Sequence, residues 1–267
     1  MKFILKWILV LFILFVGWLG VMYTFQTKII FPSPKEHINH PIPGALEWED
    51  VSIQTTDNIT LHGWWMDMGA EETVVFFHGN STNISYYSGR LYMLKKLEKN
   101  ALFFDYRGYG KSEGRVVREE DVYTDGQAAI DFLTQEKNID PKKITLWGFS
   151  VGTGIATEMA LRNPVSKLIL EAPFLSVSAL AYEFVPLHLP NWYWRYKFDN
   201  QSKIANITVP LLLLHSPEDK NVPYEQGQIL FEKATTEKEF VELSGNHDNA
   251  ISKSAAVYFS ALKEFLP

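Results

Sequence analysis

The chain predicts an α/β fold: a mainly parallel, eight-stranded sheet with helices on both faces. Three observations carry this reading. Short apolar runs recur along the body of the chain and are separated mostly by segments of helix length. Two alternating runs open the body, about the turn pair Asp57-Asn58, and form a hairpin. The apolar run Ile144-Thr145-Leu146-Trp147 leads straight into Gly148-Phe149-Ser150-Val151-Gly152, and a small-residue stretch from Thr153 to Thr157 then reads as a helix.

Before the body lies a different kind of segment. Trp7 to Thr27 holds no charged residue for 21 positions, which as a helix is about 31 Å against a hydrocarbon core of about 30 Å. Lys2 and Lys6 precede it, Lys28 follows it, and Trp7 and Tyr23 sit near its ends, where amphipathic rings favour the interface. Phe15, Trp18 and Met22 occupy places where a cleavage site would need small residues, so residues 1–28 read as an uncleaved, single-pass membrane anchor. Lys2 and Lys6 with the α-amino group face Lys28 and Lys35, and the reading leans to a body on the non-cytoplasmic side. Residues 29–46, rich in proline and polar groups, read as a tether, and residues 47–267 as the folded body.

Composition narrows the function classes. The chain of 267 residues carries a formal charge of −6 with both signs interspersed, so it lacks the basic stripe that nucleic-acid binding needs. Beyond its first six residues it is more acidic still and would not cling electrostatically to anionic lipid, which leaves membrane attachment to the anchor. There is no cysteine, which removes disulfides, a thiolate nucleophile and cysteine zinc sites.

The strands expected are Asp50 to Thr55, Ile59 to Met66, Thr73 to Phe77, Ala101 to Asp105, Lys143 to Trp147, Lys167 to Glu171, Val209 to His215 and Lys238 to Leu243. Helices are expected at about Ile84–Glu98, Glu119–Glu136, Val151–Arg162, Glu225–Lys233 and Asn249–Phe265. One connection is too long for a plain crossover. About residues 174–205, Val177, Leu180, Ala181 and Phe184 fall at helical spacing, Pro186 and Pro190 end the helix, and Trp192, Tyr193, Trp194 and Tyr196 crowd together. Each aromatic could simply pack on the core; together they suggest a small apolar cap at the carboxyl edge of the sheet, where ligands bind.

Ser150 carries the chemistry. Gly148 and Gly152 permit a sharp strand-to-helix turn that pushes the serine into an open cleft. A serine hydroxyl needs a base, and the base needs a group that holds its tautomer. With this elbow the partners follow in the order acid, then histidine. Asp219, in the turn after Leu211 to Leu214, and His247, in Ser244-Gly245-Asn246-His247-Asp248 after the last strand, stand in those places. Glu218 and Asp248 are competing carboxylates, and Glu218 is expected to face solvent. Phe76-Phe77-His78-Gly79-Asn80 ends the third strand, so the backbone amides of Asn80 and Val151 are the candidate oxyanion donors, with His78 holding the loop. Asp105 to Ser112 lacks the spacing of a phosphate-binding loop and reads as a structural turn, with Asp105 and Arg107 bonding the loops that frame the site. No metal-ligand spacing appears among the seven histidines, and no cofactor is expected.

These motifs, His78-Gly79-Asn80, Asp105 to Ser112, Gly148 to Gly152, Asp219 with Val222-Pro223, and Gly245-Asn246-His247, resemble the serine α/β-hydrolase superfamily, in particular its N-terminally anchored members related to esterases and acyl-protein thioesterases. The resemblance covers most of the chain after Glu47. It implies Ser150 as nucleophile, His247 as general base, Asp219 as orienting acid, and Asn80 and Val151 as amide donors. His215 stands where many relatives have glycine. The implied activity is cleavage of a carboxylic ester or thioester through an acyl-enzyme, on a small acyl substrate, a lipid or an acylated protein. Acyl transfer, amide or peptide cleavage, and a scaffold that binds lipid or a partner without turnover are the alternatives.

Overall fold

The structure is a computed structural model that describes residues 2–37, 47–184 and 187–266. Its centre is one eight-stranded sheet: β1 Glu49–Gln54, β2 Thr60–Met66, β3 Thr73–Phe77, β4 Asn100–Phe104, β5 Ile144–Phe149, β6 Lys167–Glu171, β7 Leu211–His215 and β8 Lys238–Glu242. The spatial order is β1-β2-β4-β3-β5-β6-β7-β8. β1, β2 and β4 pair antiparallel, and every pair from β4 through β3 to β8 is parallel. The burial pattern explains why sequence periodicity separates these strands. β1 alternates exposed and buried because one face meets water, whereas β3, β4, β5 and β7 are buried at every position and so read as unbroken apolar runs.

Helices cover both faces. On one side α3 (Glu119–Asp131), α4 (Val151–Arg162) and α7 (Tyr224–Lys233) bury Val122, Ile155 and Leu230 against Phe77, Leu146 and Leu213. On the other, α2 (Ser88–Lys96) and α9 (Ala255–Phe265) bury Leu91, Leu94, Tyr258 and Leu262 against Phe76, Phe103 and Trp147. The last helix is not continuous from Asn249. A short α8 (Ala250–Lys253) precedes it, and the break falls at Ser254, whose hydroxyl accepts from the Ser244 amide at 2.6 Å. Because β3 is flanked by β4 and β5, the chain leaves it in opposite directions on its two sides. The crevice at the carboxyl ends of β3 and β5 is therefore the topological switch point, where ligands bind in such sheets.

The insertion after β6 folds as expected into α5 (Val177–Phe184), a single turn at Asn191–Tyr193 and α6 (Asn200–Lys203). Its aromatics divide: Tyr193 and Tyr196 are buried, whereas Trp192 is 79% exposed. Pro186 lies outside the described residues.

The N-terminal segment forms α1, Lys2–Ile30, long and apolar enough to cross a membrane. It runs two residues into the stretch read as a tether, and the residues just beyond its end are docked rather than free. Phe31 is buried among Tyr109, Tyr196 and Phe198. The Pro34 carbonyl accepts from the Gly110 amide at 2.9 Å, and Lys35 Nζ donates to the Ser112 carbonyl at 2.7 Å. Prolines leave carbonyls without their usual helical partners, and the turn after β4 supplies donors for them. Residues 38–46 lie outside the described part. The last turns of α1 lean on the cap: Gln26 Nε2 donates to the Tyr193 carbonyl at 3.0 Å, Gln26 Oε1 accepts from the Arg195 amide at 2.9 Å, and Tyr193 Oη donates to the Leu19 carbonyl at 2.9 Å.

Candidate active site

Ser150 stands between β5 and α4 with φ 52° and ψ −120°, a left-handed conformation that a serine adopts only under constraint. The constraint is close packing. A Cβ on Gly148 would come within 2.5 Å of the Gly152 carbonyl oxygen, and one on Gly152 would lie 2.0 Å from the Phe77 carbonyl oxygen. The strand can enter the helix this tightly only because both side chains are absent. Ser150 N donates to the Glu171 carbonyl at 2.9 Å, which ties the turn to β6. The Glu171 side chain is itself buried, where it accepts from Arg90, Trp147 and Tyr258.

His247 and Asp219 arrive from loops after β8 and β7. His247 Nε2 lies 3.1 Å from Ser150 Oγ, and His247 Nδ1 lies 2.6 Å from Asp219 Oδ2. An ionised carboxylate can only accept, so the proton sits on Nδ1 and leaves Nε2 as the acceptor of the serine hydroxyl. Asp219 Oδ1 accepts from the amides of Asn221 and Val222 at 2.8 and 2.9 Å. Burial alone would raise the Asp219 carboxyl, but His215, His247 and the Val222 amide outweigh it and hold the group well below the usual carboxylate range. His215 is fully buried, donates from Nε2 to the Val222 carbonyl at 3.1 Å and lies 3.5 Å from Asp219 Oδ2. It braces the acid turn, a role its place at the end of an apolar strand does not announce.

Glu218 is exposed, as expected, but it is not idle: its Oε1 accepts from the Gly245 amide at 2.8 Å and so steadies the histidine loop. That bond joins loops 27 positions apart, and local sequence carries no sign of it. His78 is buried as a loop support: Nδ1 lies 2.7 Å from the Gly79 carbonyl, and Tyr106 Oη donates to the His78 carbonyl at 3.1 Å. Two further tyrosines, which no sequence motif marks, hold this loop. Tyr87 Oη accepts from the Gly79 amide at 3.1 Å, and Tyr109 Oη donates to the Asn80 carbonyl at 2.9 Å. Arg107 binds Asp125 and Asp57, in keeping with its turn, and Asp105 Oδ1 accepts from the Ile84 amide. Among the described residues, the Asn80 and Val151 amides have no acceptor within the chain.

Ser150, Asn80, Val151 and His247 face an apolar cavity of about 540 Å³. Its walls come from α5 (Val177, Leu180, Ala181) and, unforeseen in the sequence, from α1 (Trp18, Met22, Ile29). A second, more polar cavity of about 320 Å³ shares Ser150, Asn80 and His247 and extends to Thr82, Arg90 and Asp248. Away from both, the fold gathers His37, His62 and Asp105, a set of ligand types that no spacing in the chain connects.

A nucleophile-elbow geometry at the switch point of this sheet defines an α/β-hydrolase architecture. A family model described as serine aminopeptidase, S33, matches residues 69–199. The α/β hydrolase domain-containing protein WAV2 of Arabidopsis thaliana is 31% identical over 94% of this chain and 90% of its own length. The uncharacterized protein YfhR of Escherichia coli K12 is 27% identical over 96% and 93%. Among solved structures, the Pyrococcus furiosus esterase Pf2001 aligns with a TM-score of 0.75 and 25% identity over 88% of this chain and 95% of its own. The chain belongs to the α/β-hydrolase superfamily.

The geometry ranks the three carboxylates. Asp219→Asn should lower the rate of Ser150 modification by a fluorophosphonate about 10⁴-fold. Glu218→Gln and Asp248→Asn should stay within about tenfold of the native rate. Intact-mass kinetics on the three variants reads the order directly.

Proposed function

We propose that the protein is a membrane-anchored serine hydrolase that cleaves carboxylic ester or thioester bonds of amphipathic acyl compounds drawn from the bilayer. The observation that carries this reading is the cavity in which Ser150 and His247 share walls with α1, the segment apolar enough to span a membrane. An acyl chain leaving the hydrocarbon phase along α1 reaches the serine without crossing water, which supports an apolar acyl group as substrate. The polar second cavity, on the same three residues, suits the leaving group. In this reading residues 1–28 anchor, the stretch from 29 to 46 joins, and 47–267 catalyse, with 174–205 as the cap.

The steps follow from the proposed roles. Ser150 Oγ attacks the acyl carbonyl while His247 Nε2 takes its proton, and Asp219 holds the imidazolium that results. The Asn80 and Val151 amides receive the oxyanion, each donor worth about 3 to 4 kcal/mol when aimed at it. Collapse breaks the carbonyl–oxygen or carbonyl–sulfur bond as His247 returns the proton to the leaving group. Water, deprotonated by His247, then releases the acid and restores the serine.

Peptide cleavage is the reading that the matched family description favours. An aminopeptidase needs an anion to hold the substrate's amino terminus; among the described lining residues the apolar cavity that would take the acyl group has none, and Asp248 in the polar cavity is the one carboxylate that could serve. The apolar lining beside Ser150 supports the ester or thioester reading, and Asp248→Asn, which would weaken amino-terminus binding but not ester turnover, separates the two.

Ser150→Ala in the full-length chain should cut turnover of p-nitrophenyl esters by about four to six orders of magnitude; unchanged turnover would end the proposal. Ala181→Trp, which fills the larger cavity, should shift the preferred acyl chain to shorter lengths while acetate ester turnover persists. Equal loss on short and long chains would mean that the cavity does not hold the acyl group. Asp219 stays ionised through the acid range because His215 and His247 outweigh its burial, so the orienting carboxylate is not lost as pH falls. Activity should therefore rise from pH about 5 to about 8 with one protonation governing the acid limb. A slope of two in log kcat/KM would show that a second group titrates.

A further inference from the structure

The cluster behind the catalytic crevice has its own chemistry. His37 Nε2, His62 Nδ1 and Asp105 Oδ2 lie within 4.8 Å of one another, and His37 Nε2 is 3.3 Å and His62 Nδ1 3.9 Å from Asp105 Oδ2. All three atoms are buried and, among the described residues, none has a hydrogen-bond partner of normal geometry. The Asp105 side chain is wholly buried, so its oxygen has no water to turn to.

The tautomer of His62 makes this arrangement more telling. Its Nε2 lies 2.5 Å from Asp50 Oδ1. The carboxylate accepts, so Nε2 carries a proton, and in the neutral ring Nδ1 presents a lone pair towards Asp105 Oδ2. In that tautomer two acceptors face each other in a buried place, which a cation between them resolves. A carboxylate on the far nitrogen of an imidazole is also the partner that metal-bound histidines use to fix orientation and strengthen the ligand.

The space for an ion is held open by a glycine. Gly110 has φ 45°, and a Cβ there would fall 2.0 Å from Asp105 Oδ2 and 2.7 Å from His37 Nε2. Ligands about 2.0–2.2 Å from a tetrahedral centre stand roughly 3.3–3.6 Å apart. The His37–Asp105 separation already matches, and the His62–Asp105 one needs to close by a few tenths of an ångström. Two imidazoles with one carboxylate suit zinc or a similar first-row cation rather than magnesium or calcium, which take oxygen ligands.

We propose that His37 Nε2, His62 Nδ1 and Asp105 Oδ2 bind one divalent transition-metal ion of the zinc class, with Asp50 orienting His62 and a fourth position left to water. None of the three lines either cavity at Ser150, so the ion's role is structural. It joins three separate parts of the chain: the segment that leaves α1, β2, and the turn after β4. Asp105 Oδ1 also holds the Ile84 amide, and Asn83 Nδ2 donates to the Glu36 carbonyl at 2.7 Å. The ion therefore pins the exit of the membrane helix to the loop that carries Asn80.

The test uses the full-length, tag-free chain in detergent, stripped with a chelator and titrated with Co²⁺ and Zn²⁺. The expected result is one equivalent of Co²⁺ with the intense visible bands of four-coordinate geometry, displaced by Zn²⁺, and a higher melting temperature with Zn²⁺. His37→Gln, on the outer edge of the body, should weaken Zn²⁺ binding by more than about 100-fold and abolish the thermal shift. His188→Gln, a histidine outside the cluster, should leave both unchanged. A wild-type chain that binds no stoichiometric metal would overturn the proposal. So would a His37→Gln variant that binds Zn²⁺ like the wild type. Neither result bears on the hydrolase reading, because Ser150 labelling is measured separately.

Discussion

The strained backbone at Ser150 is the constraint on which the rest depends. A left-handed serine costs of order 1–3 kcal/mol, and it persists because β5 and α4 are fixed on either side. Packing of Gly152 against the Phe77 carbonyl sets the distance between α4 and β3, and that same approach brings the Asn80 loop beside Val151. The Ser150–Glu171 backbone bond adds β6 to the arrangement, and the Glu171 side chain, neutralised by Arg90, lies buried beneath it. Removing Arg90 would leave a buried carboxylate uncompensated, which is strongly destabilising. The elbow is therefore supported by the whole middle of the sheet rather than by its own five residues.

The loops that meet the elbow are built differently. Loops after β7 and β8 have little apolar burial, so they are fixed by hydrogen bonds. Asp219 is held by two backbone amides, His215 by the Val222 carbonyl, and the histidine loop by Glu218 and by the short Ser216 Oγ to Gly245 carbonyl bond. These bonds run both within each turn and between the two. That reciprocity lets a partly exposed imidazole keep its orientation, since moving either loop would break bonds in both.

Much of this architecture is legible in the sequence because the signals are local. Unbroken apolar runs mark the buried strands, Asp57-Asn58 marks the opening hairpin, and the helix after the elbow stands at Val151–Arg162, as its small residues suggest. The positions of Asp219 and His247 are legible because each lies in a turn shortly after a strand, Asp219 after the apolar β7 and His247 after β8, the last strand. The hidden features depend on pairs distant in the chain. Nothing near Phe31 says that Tyr196 and Phe198 await it, and a tether is what a proline-rich stretch resembles until its carbonyls find donors. His37, His62 and Asp105 share no spacing rule because they meet only when the sheet and the exit of α1 are both in place. Glu218 stays exposed yet bonds the Gly245 amide, and a carboxylate beside a turn has no local sign of which distant loop it will bond.

The contribution of α1 to the wall of the larger cavity changes what the first segment of the chain is for. A span that merely tethers can be cut away without altering what the enzyme prefers. Here Trp18, Met22 and Ile29 face the same space as Ser150, so a version shortened by α1 would keep Ser150 and lose one side of the cavity beside it. Selectivity measured on such a fragment would describe an open trough, whereas the intact chain offers a cavity with one side made of its own N-terminal apolar helix.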